Sequence, residues 1–438
     1  MTDMSNLRAG TYTKNITPPI GITLEGSLGE IIAERIVDDL YVNAVVIDDN
    51  TKEIAIVSAD IHSIPNAVYK DMAARIKKEA AIDEDNILIA ATHTHCSPCL
   101  DGGPLNTHVV WDDYVEQFKK SVVTAVCMAK KSKQTVRIGA GKGNNPDHVF
   151  NRRLKKPDGS IAMNWLKSEF LADCIDDGVV DPELLVIKIA DAEGNPKAFI
   201  VNYSLHNNAC GGPIISSDLS GHMCRVLKKV YGEDVCVLFI PGAIGNINWI
   251  NYKEDRRKIP NLYKLIGTGI AGTVLEIDSV MKYQEVLNID VLHKKLQIPD
   301  RPYCEYDTHV DTTFGEANSD NHFFKVFRRG KEILGHSLPM NDVDIQTIKL
   351  GDEIAIVASP TQMFVEFGLE IKACSPFKYT LFAGMSNGNM GYVPTEQAFK
   401  EGGYEVRKLP INSHLDISAG KRIVDASIEL LNEIRREN

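Results

Sequence analysis

The hydrophobic positions of this chain form short apolar runs separated by amphipathic stretches. Runs rich in β-branched residues at 41–48 and 53–60 flank the turn residues Asp49-Asn50, which predicts a hairpin of two strands. Residues 66–81 then carry apolar side chains at every fourth position, a spacing typical of an amphipathic helix. The apolar run 87–91 follows as a further strand. The beginning of the chain thus alternates strands and helices, which is the pattern of an α/β fold.

The rest of the chain continues this alternation. Further strands are predicted at 135–138, 183–189, 197–203, 235–240, 353–358 and 379–383, and further helices at about 112–130, 219–231, 259–281 and 418–436. No repeat of solenoid length is apparent in the sequence. We therefore expect residues 1–438 to form a single domain of mixed β-sheets flanked by helices. Residues 300–340 are polar and lack periodicity, so we expect an insertion or lid there.

Composition narrows the possible functions. The formal net charge is −11 and no long basic run is present, which argues against a nucleic-acid partner. No apolar run reaches the ~18 residues that a membrane span needs. The first residues lack the basic and apolar regions of a signal peptide, so we expect a cytoplasmic protein. Nine cysteines, an odd number, fit reduced thiols better than a disulfide framework.

Two histidines follow the predicted strand 87–91, in the sequence Thr92-His93-Thr94-His95. Functional groups of α/β folds collect at the carboxyl ends of strands, and neutral imidazole is a good ligand for Zn²⁺. The motif therefore predicts a metal site, with a pair of hydrogen-bonded loop histidines as the alternative. Cys96 and Cys99 come directly afterwards. Since no second Cys-x-x-Cys is present, we interpret them as ordinary thiols in the wall of the site.

Short segments along nearly the whole chain resemble the neutral/alkaline ceramidase family. The matching segments, which keep the family's order, are Ile16-Thr17-Pro18-Pro19, Ser58-Ala59-Asp60, Thr92-His93-Thr94-His95, Asn151-Arg152, Asp181-Pro182, the strand ending in His206, Gly245-Asn246 and Tyr392-Val393-Pro394-Thr395. Tyr404-Glu405 follows Tyr392 at the family's spacing of twelve residues. The resemblance implies the α/β catalytic domain of that family. Ceramidases continue into an immunoglobulin-like domain, so we expect this chain to be a stand-alone catalytic domain.

The resemblance also implies a site. In the family a single zinc ion is held by two histidines, a carboxylate and a tyrosine hydroxyl. The corresponding ligands of Zn²⁺, or of another divalent transition metal, are His93, His206 and Tyr392. The residues that correspond to other parts of the site wall are His95, Arg152 and Tyr404. We expect the first of these to move a proton and the other two to stabilise an oxyanion.

Two positions depart from the family pattern. The family's carboxylate ligand corresponds here to Gln362, which is neutral and a poor zinc ligand. Either the metal is held more loosely, or another carboxylate substitutes, with Asp60, Asp218 and Glu366 as candidates. The serine that ceramidases carry in the Gly-Asn loop corresponds to Asn248. Both departures argue against ceramide as the substrate.

The resemblance and the histidine pattern together predict a metal-dependent hydrolase that cleaves a linear amide or related acyl bond of a small molecule. One alternative is a hydrolase or lyase that acts on a small polar or sugar-derived metabolite. Another is a catalytically inactive ceramidase-like protein that binds a metabolite. We interpret His62 and His222 as structural residues. The sequence predicts no particular oligomeric state.

Overall fold

Three segments of the chain fold in the same way, and we refer to them as units 1, 2 and 3. In each unit, three antiparallel strands are followed by a helix and then by a fourth strand, which pairs in parallel with the third strand. A parallel pair of neighbouring strands requires such a crossover, because a tight hairpin can join only antiparallel strands. A second helix closes each unit. The computed structural model describes residues 7–102, 105, 108–175, 178–254, 256–284, 288–334, 338–409 and 412–436.

Units 1 and 2 contain most of the elements that the apolar runs predict. Unit 1 consists of β1 (Arg8–Asn15), β2 (Tyr41–Asp48), β3 (Glu53–Ala59), α1 (Asn66–Ala80), β4 (Ile87–Ala91) and α2 (Asp112–Lys131). Unit 2 consists of β5 (Gln134–Asn144), β6 (Glu183–Asp191), β7 (Pro196–Tyr203), α3 (Asp218–Tyr231), β8 (Cys236–Pro241) and α4 (Leu262–Ser279). Backbone pairing of Arg8 with Thr135 and of Ala9 with Gln134 joins the two units into one sheet.

Unit 3 has its own four-stranded sheet. It consists of β9 (Ile289–Pro299), α5 (His322–Leu334), β10 (Met340–Leu350), β11 (Ile354–Ala358), α6 (Val365–Cys374), β12 (Tyr379–Ala383), α7 (Glu396–Glu401) and α8 (Ala419–Arg436). Short strands elsewhere are Thr23–Leu24, Ile31–Ile32, Arg35–Ile36, Phe150–Asn151, Arg153–Lys155, Ile161–Met163, Ile214–Ile215, Ile247–Asn248, Tyr283–Gln284, Gln362–Met363 and Tyr392–Val393. Single 3-10 turns lie at Glu84–Asn86, Pro146–His148, Ser168–Phe170, Arg256–Lys258 and Glu305–Thr308.

The three units share one hydrophobic core. Its members include Val45, Ile56 and Leu88 of unit 1, Ile187, Ile200 and Leu238 of unit 2, and Ile348, Ile356 and Leu381 of unit 3. The opposite face of each unit's sheet packs against helices of the same unit. Strands that are buried on both faces need apolar residues at successive positions, which explains the continuous apolar runs of the sequence.

The carboxyl ends of the parallel strands of all three units meet at one end of this core. The backbone nitrogen of Gly384, after β12, donates to the carbonyl of Pro241 in β8 at 2.9 Å. The nitrogen of Ala91 in β4 donates to the carbonyl of Met385 at 3.1 Å. These bonds hold the loops that follow β4, β8 and β12 against one another. Residues that follow strands of different units are therefore neighbours in space.

The segment predicted to be an insertion or lid lies between β9 and β10, which pair along their whole length up to Pro299 and Met340. It carries buried aromatic side chains, since Phe324 and Phe327 pack against Met163 of another segment. Its polar composition did not indicate this packing. Residues 335–337 lie outside the described residues, and the role of an insertion or lid stays a prediction. Among the described residues, no helix combines the length and apolarity that crossing a bilayer requires.

Candidate metal centre

His93 occupies the loop directly after β4 with an unusual backbone conformation. Its φ angle is 64°, in the left-handed region that few residues other than glycine adopt. Its backbone nitrogen donates to the carbonyl of Ile61 at 3.0 Å, and its ring Nδ1 donates to the carbonyl of His62 at 2.7 Å. Such a conformation persists only where surrounding contacts enforce it, and it occurs often at functional sites. The loop after β3 thus fixes both the backbone and the ring of His93.

His95 and His206 are held in the same manner. His95 Nδ1 donates to the carbonyl of Gly26 at 2.9 Å, and His206 Nδ1 donates to the carbonyl of Ile244 at 2.9 Å. Burial lowers the pKa of His93, His95 and His206 well below the usual value, so the three rings are neutral. A neutral imidazole that donates through Nδ1 carries no hydrogen on Nε2. Each ring therefore presents the Nε2 lone pair of a metal ligand, with Nδ1 fixed by a carbonyl as metal-binding histidines require.

The Nε2 atoms of His93 and His206 lie 3.2 Å apart, although both rings are fully buried. Two lone pairs that face each other without a proton repel, so the arrangement calls for a cation between them. Two nitrogens bound to one tetrahedral zinc at the usual distance of about 2.0–2.1 Å are about 3.3 Å apart. The observed separation matches this value. The residues present therefore fit a divalent metal ion.

His62 joins these rings, although we interpreted it from the sequence as a structural residue. Its ring centroid lies 4.3 Å from that of His93 and 4.7 Å from that of His95. Possible ligand nitrogens of the three residues lie within 4.8 Å of one another. The Nδ1 atom of His62 is 3.1 Å from Oε1 of Glu25, a carboxylate that is only 4% exposed. The sequence did not point to Glu25, which lies in the connection between β1 and β2.

Arg152 lies beside the histidines and is almost completely buried. Its Nη1 atom is 3.4 Å from Nε2 of His206, and its guanidinium carbon is 5.1 Å from the centre of the Tyr392 ring. Its Nε atom donates to Glu405 at 2.7 Å. Burial alone would lower the pKa of Arg152, but Tyr392 and Glu405 raise it, so the guanidinium is charged. The Nη2 group is buried without a hydrogen-bond partner among the described residues.

The two tyrosines of the predicted site lie next to each other, with Tyr392 and Tyr404 ring centroids 5.9 Å apart. Burial raises the pKa of both hydroxyls although the charge of Arg152 opposes this, so both are protonated. Tyr392 pairs in register with Gln362 in a short parallel ladder. The Oε1 atom of Gln362 is buried and has no hydrogen-bond partner in the described part of the chain. Gln362, which the sequence resemblance matches to the ceramidase carboxylate, thus places an oxygen without net charge next to Tyr392.

A small cleft of about 50 Å³ opens beside His95. Polar side chains in its wall are those of Glu25, Ser27, His62, Gln362 and Asn412, together with the two tyrosines. This volume accommodates a few water-sized groups. It is far smaller than the roughly 300–1,000 Å³ of pockets that bind drug-sized ligands.

The carboxylates that we considered as substitutes for Gln362 are engaged elsewhere. Asp60 accepts from the backbone nitrogen of Tyr41 at 2.9 Å and from Thr92 Oγ1 at 3.2 Å. Asp218 accepts from the backbone nitrogens of Cys210 and Leu219, which fix the start of α3. None of the candidates belongs to the cluster of histidines among the described residues. Buried carboxylates bonded to backbone donors are positioned to stabilise loops, so these contacts favour a structural role for Asp60 and Asp218, and their role as ligands stays a prediction.

The third candidate, Glu366, and the position of the ceramidase serine are also engaged elsewhere. Glu366 accepts from Asn246 Nδ2 at 2.9 Å. Asn248 exchanges two hydrogen bonds with Asn164, at 2.8 and 2.7 Å, and also accepts from the nitrogen of Ile250. Its side-chain groups are thus used within the loop. These hydrogen bonds connect neither residue to the histidines.

Cys96 and Cys99 are buried beside the histidine loop. Burial, followed by the charge of Glu25, raises the pKa of Cys99 to about 12. Burial likewise raises the pKa of Cys96. The thiolate is the form that binds metals and attacks electrophiles, and it is disfavoured at both positions.

Comparisons with known proteins show what the chain is similar to in sequence and fold. Residues 27–233 match the family model described as neutral/alkaline non-lysosomal ceramidase, N-terminal. The neutral ceramidase of Pseudomonas aeruginosa is 25% identical over 196 residues, which are 42% of this chain and 27% of that protein. Its crystal structure superimposes with a TM-score of 0.73 at 18% identity, over 98% of this chain and 75% of the other. A ceramidase complexed with C2 gives the same TM-score at 17% identity, over 99% and 76% of the two chains.

The chain resembles the neutral ceramidases over part of its sequence and in its fold. The structural superposition confirms the expected α/β fold of mixed sheets flanked by helices. The region of this ceramidase-like chain that matches the family model includes His93, His95, Arg152 and His206 and ends before Tyr392 and Tyr404. The aligned part spans about a quarter of the curated relative. The proposed roles of Tyr392 and Tyr404 therefore rest on the structure and the motif, without support from the family model.

Proposed function

We propose that this chain is a metal-dependent hydrolase that cleaves a linear amide or related acyl bond of a small polar molecule. The observation that supports the proposal most directly is the pair of Nε2 atoms of His93 and His206, which lie 3.2 Å apart in a buried site while both Nδ1 atoms donate to backbone carbonyls. The ceramidase-like family adds the reaction class, because ceramide is opened by hydrolysis of a linear amide.

The residues that would hold the ion are His93, His206 and Tyr392. Imidazole and phenol oxygen donors suit zinc, which we propose as the metal. A divalent ion at this position supplies a Lewis acid, which polarises an acyl carbonyl and makes a water more acidic. Its charge would also favour ionisation of the Tyr392 hydroxyl, which burial otherwise opposes.

The remaining groups of the site act on the substrate. His95 is neutral, and its Nε2 atom is buried without a partner in the described structure, so it can accept a proton and return it to the leaving group. Arg152 has an unpaired Nη2 group held in place by the bond from Nε to Glu405, so it can donate to the oxygen on which negative charge develops. The Tyr404 hydroxyl provides a second donor beside Tyr392.

The cleft supports a small polar substrate. Its volume of about 50 Å³ and its polar walls suit a short acyl group and a hydrophilic leaving group. Among the described residues of these walls, Leu28 is the one aliphatic side chain, whereas the acyl chain of a ceramide would require a long apolar channel. Substrates with acetyl or similarly short acyl groups are therefore expected to be cleaved much faster than long-chain lipid amides.

Metal analysis by mass spectrometry tests the proposal. Protein purified without chelator and incubated with Zn²⁺ should carry metal, and His93→Ala should lose it, because one of two facing ligands is removed. The matched control is His222→Ala, whose ring contacts Thr268 on α4. Less than about 0.2 metal equivalents per wild-type chain after loading contradicts the proposal, since a preformed ligand set should fill at micromolar metal.

A hydrolysis panel tests the reaction. The panel contains short N-acetyl amides, short esters and a long-chain N-acylsphingosine. We expect metal-dependent release of acetate from at least one short amide. Binding of such compounds by metal-free protein with no turnover under any metal would support the alternative of an inactive binding protein.

A further inference from the structure

The threefold repetition of the fold places three side chains at equivalent positions. In each unit the third strand contains Ile-Val, at 56–57, 200–201 and 356–357. The residue six positions after each isoleucine is His62 in unit 1, His206 in unit 2 and Gln362 in unit 3. Each of them follows the third strand of its unit and precedes the crossover helix. Because the three units meet at the carboxyl ends of these strands, the three side chains are presented to one region.

The equivalent residues of units 1 and 2 share local geometry as well. The nitrogen of Ile61 donates to the carbonyl of Ala59 at 2.8 Å, and the nitrogen of Leu205 donates to that of Tyr203 at 2.9 Å. The same tight bend thus precedes His62 and His206. The bend turns each imidazole from the strand toward the loop of His93. The backbone before His62 therefore has the same conformation as the backbone before His206, which we propose as a metal ligand.

The contacts of His62 are those of a metal-binding histidine. One nitrogen of its ring lies within 4.8 Å of one ring nitrogen of His93 and one of His95. Its buried Nδ1 atom lies 3.1 Å from Oε1 of Glu25, an ion-pair distance without the geometry of a hydrogen bond, while Ser63 Oγ donates to the same carboxylate oxygen at 2.9 Å. The other oxygen of Glu25 is buried and has no hydrogen-bond partner among the described residues. A carboxylate behind the imidazole is the usual partner of a zinc-bound histidine, because it fixes the ring and increases its basicity.

We propose that His62 is a metal-binding residue of this chain, oriented by Glu25, and that it supplies the donor that Gln362 cannot supply. His62 of unit 1 would thus provide the metal-binding donor that Gln362, the equivalent residue of unit 3, does not provide. Glu25 places a carboxylate next to His62, on the edge of the metal centre, whereas Gln362 is neutral. This inference rests on the proposed function, because it presupposes the metal held by His93 and His206.

Titration with Zn²⁺ in competition with a chromophoric chelator tests the assignment. The proteins compared are the wild type, His62→Ala, Glu25→Gln, His93→Ala and the control His222→Ala. Loss of His62 should weaken Zn²⁺ binding by about 100-fold or more, and Glu25→Gln should weaken it by about 10- to 100-fold, as removal of such orienting partners does elsewhere. His222→Ala should bind as the wild type does. Circular dichroism of each metal-free variant shows whether the fold is retained.

X-ray absorption of the zinc-loaded wild type gives a second measurement, which does not depend on the folding of any variant. We expect three imidazole ligands, where a centre without His62 would show two. Two results would overturn the role of His62, provided that His93→Ala still loses metal. One is a Zn²⁺ affinity of His62→Ala within about threefold of the wild type, and the other is a count of two imidazole ligands in the wild type. Failure of the wild type to bind Zn²⁺ at all overturns the proposed function as well, so the two failures are distinguishable.

Discussion

The substitution Glu405→Gln would remove the one carboxylate that pairs with both Arg152 and Arg153. Glu405 is completely buried; its Oε1 accepts from Arg152 at 2.7 Å, and its Oε2 accepts from Arg153 at 2.8 Å. The guanidinium groups are themselves only 4% and 6% exposed. Glutamine preserves the shape of the side chain and removes its charge. Arg152 would then lose its carboxylate partner, and the carboxylate contact left to Arg153 among the described residues would be the one with Glu401 at 3.8 Å.

Removal of one partner from a buried ion pair typically costs about 3–5 kcal/mol. The chain has 438 residues, and an unfolding entropy of about 2.1 cal/mol/K per residue gives about 0.9 kcal/mol/K for the whole chain. The expected decrease in Tm is therefore about 3–5 °C. The matched control is Glu401→Gln, because Glu401 is 20% exposed and pairs with Lys155 and, at 3.8 Å, with Arg153. Such a pair contributes less than about 1 kcal/mol.

The effect should also depend on pH in a defined direction. Burial alone would raise the pKa of Glu405, but Arg152 and Arg153 hold it below the usual value. A group with a lowered folded-state pKa stabilises the fold fully above the unfolded-state pKa of about 4.3, and this stabilisation is lost as the pH falls through the folded-state value. Urea denaturation should thus show a constant difference between wild type and Glu405→Gln at about pH 6–8 that shrinks in acid. A difference below about 1 kcal/mol at neutral pH, or one equal to that of Glu401→Gln, refutes the reasoning.

Two further substitutions test the site. A methyl group on Gly26 would lie 2.6 Å from Cβ of His95, so Gly26→Ala should lower kcat/KM on the short amide by about 100-fold. The control is Gly21→Ala, because Gly21 also has a positive φ angle but has open space around it. Equal losses of kcat/KM in both variants would exclude a specific effect on His95. Tyr404→Phe should lower kcat by about 10²–10³-fold with unchanged metal content, as removal of an oxyanion donor does. The control Tyr252→Phe should retain activity. Loss of metal from Tyr404→Phe would indicate that Tyr404 is a metal ligand and not a hydrogen-bond donor to the substrate.

The strands of the shared core were predictable because they are buried on both faces and therefore apolar at successive positions. The prediction at β2, Tyr41–Asp48, coincides with the strand in the structure. The long hairpin of β9 and β10 was not predicted, because β9 is only partly buried and interrupts its apolar residues with Lys294 and Lys295. The threefold repetition was hidden because the units share strand order and burial, while their connections differ in length.

His93 and His206 could be identified because each follows a strand that the apolar pattern predicts. Glu25 could not, since it lies in a connection without periodicity and reaches His62 only through the tertiary fold. His62 could have been found by comparing the residues that follow β3 with those that follow β7, because both runs read Ile-Val and end in histidine six residues after the isoleucine. Its isolation from His93 in the sequence led us to a structural interpretation instead.

The repetition of the units has a consequence for the evolution of such sites. Three equivalent loops surround one centre, so a mutation that removes a donor from one loop can be compensated by a mutation in another. The backbone does not need to move, since each loop already points to the same place. A lineage can therefore pass through changes of donor type, and of the charge around the substrate, by single substitutions that leave the shared core intact.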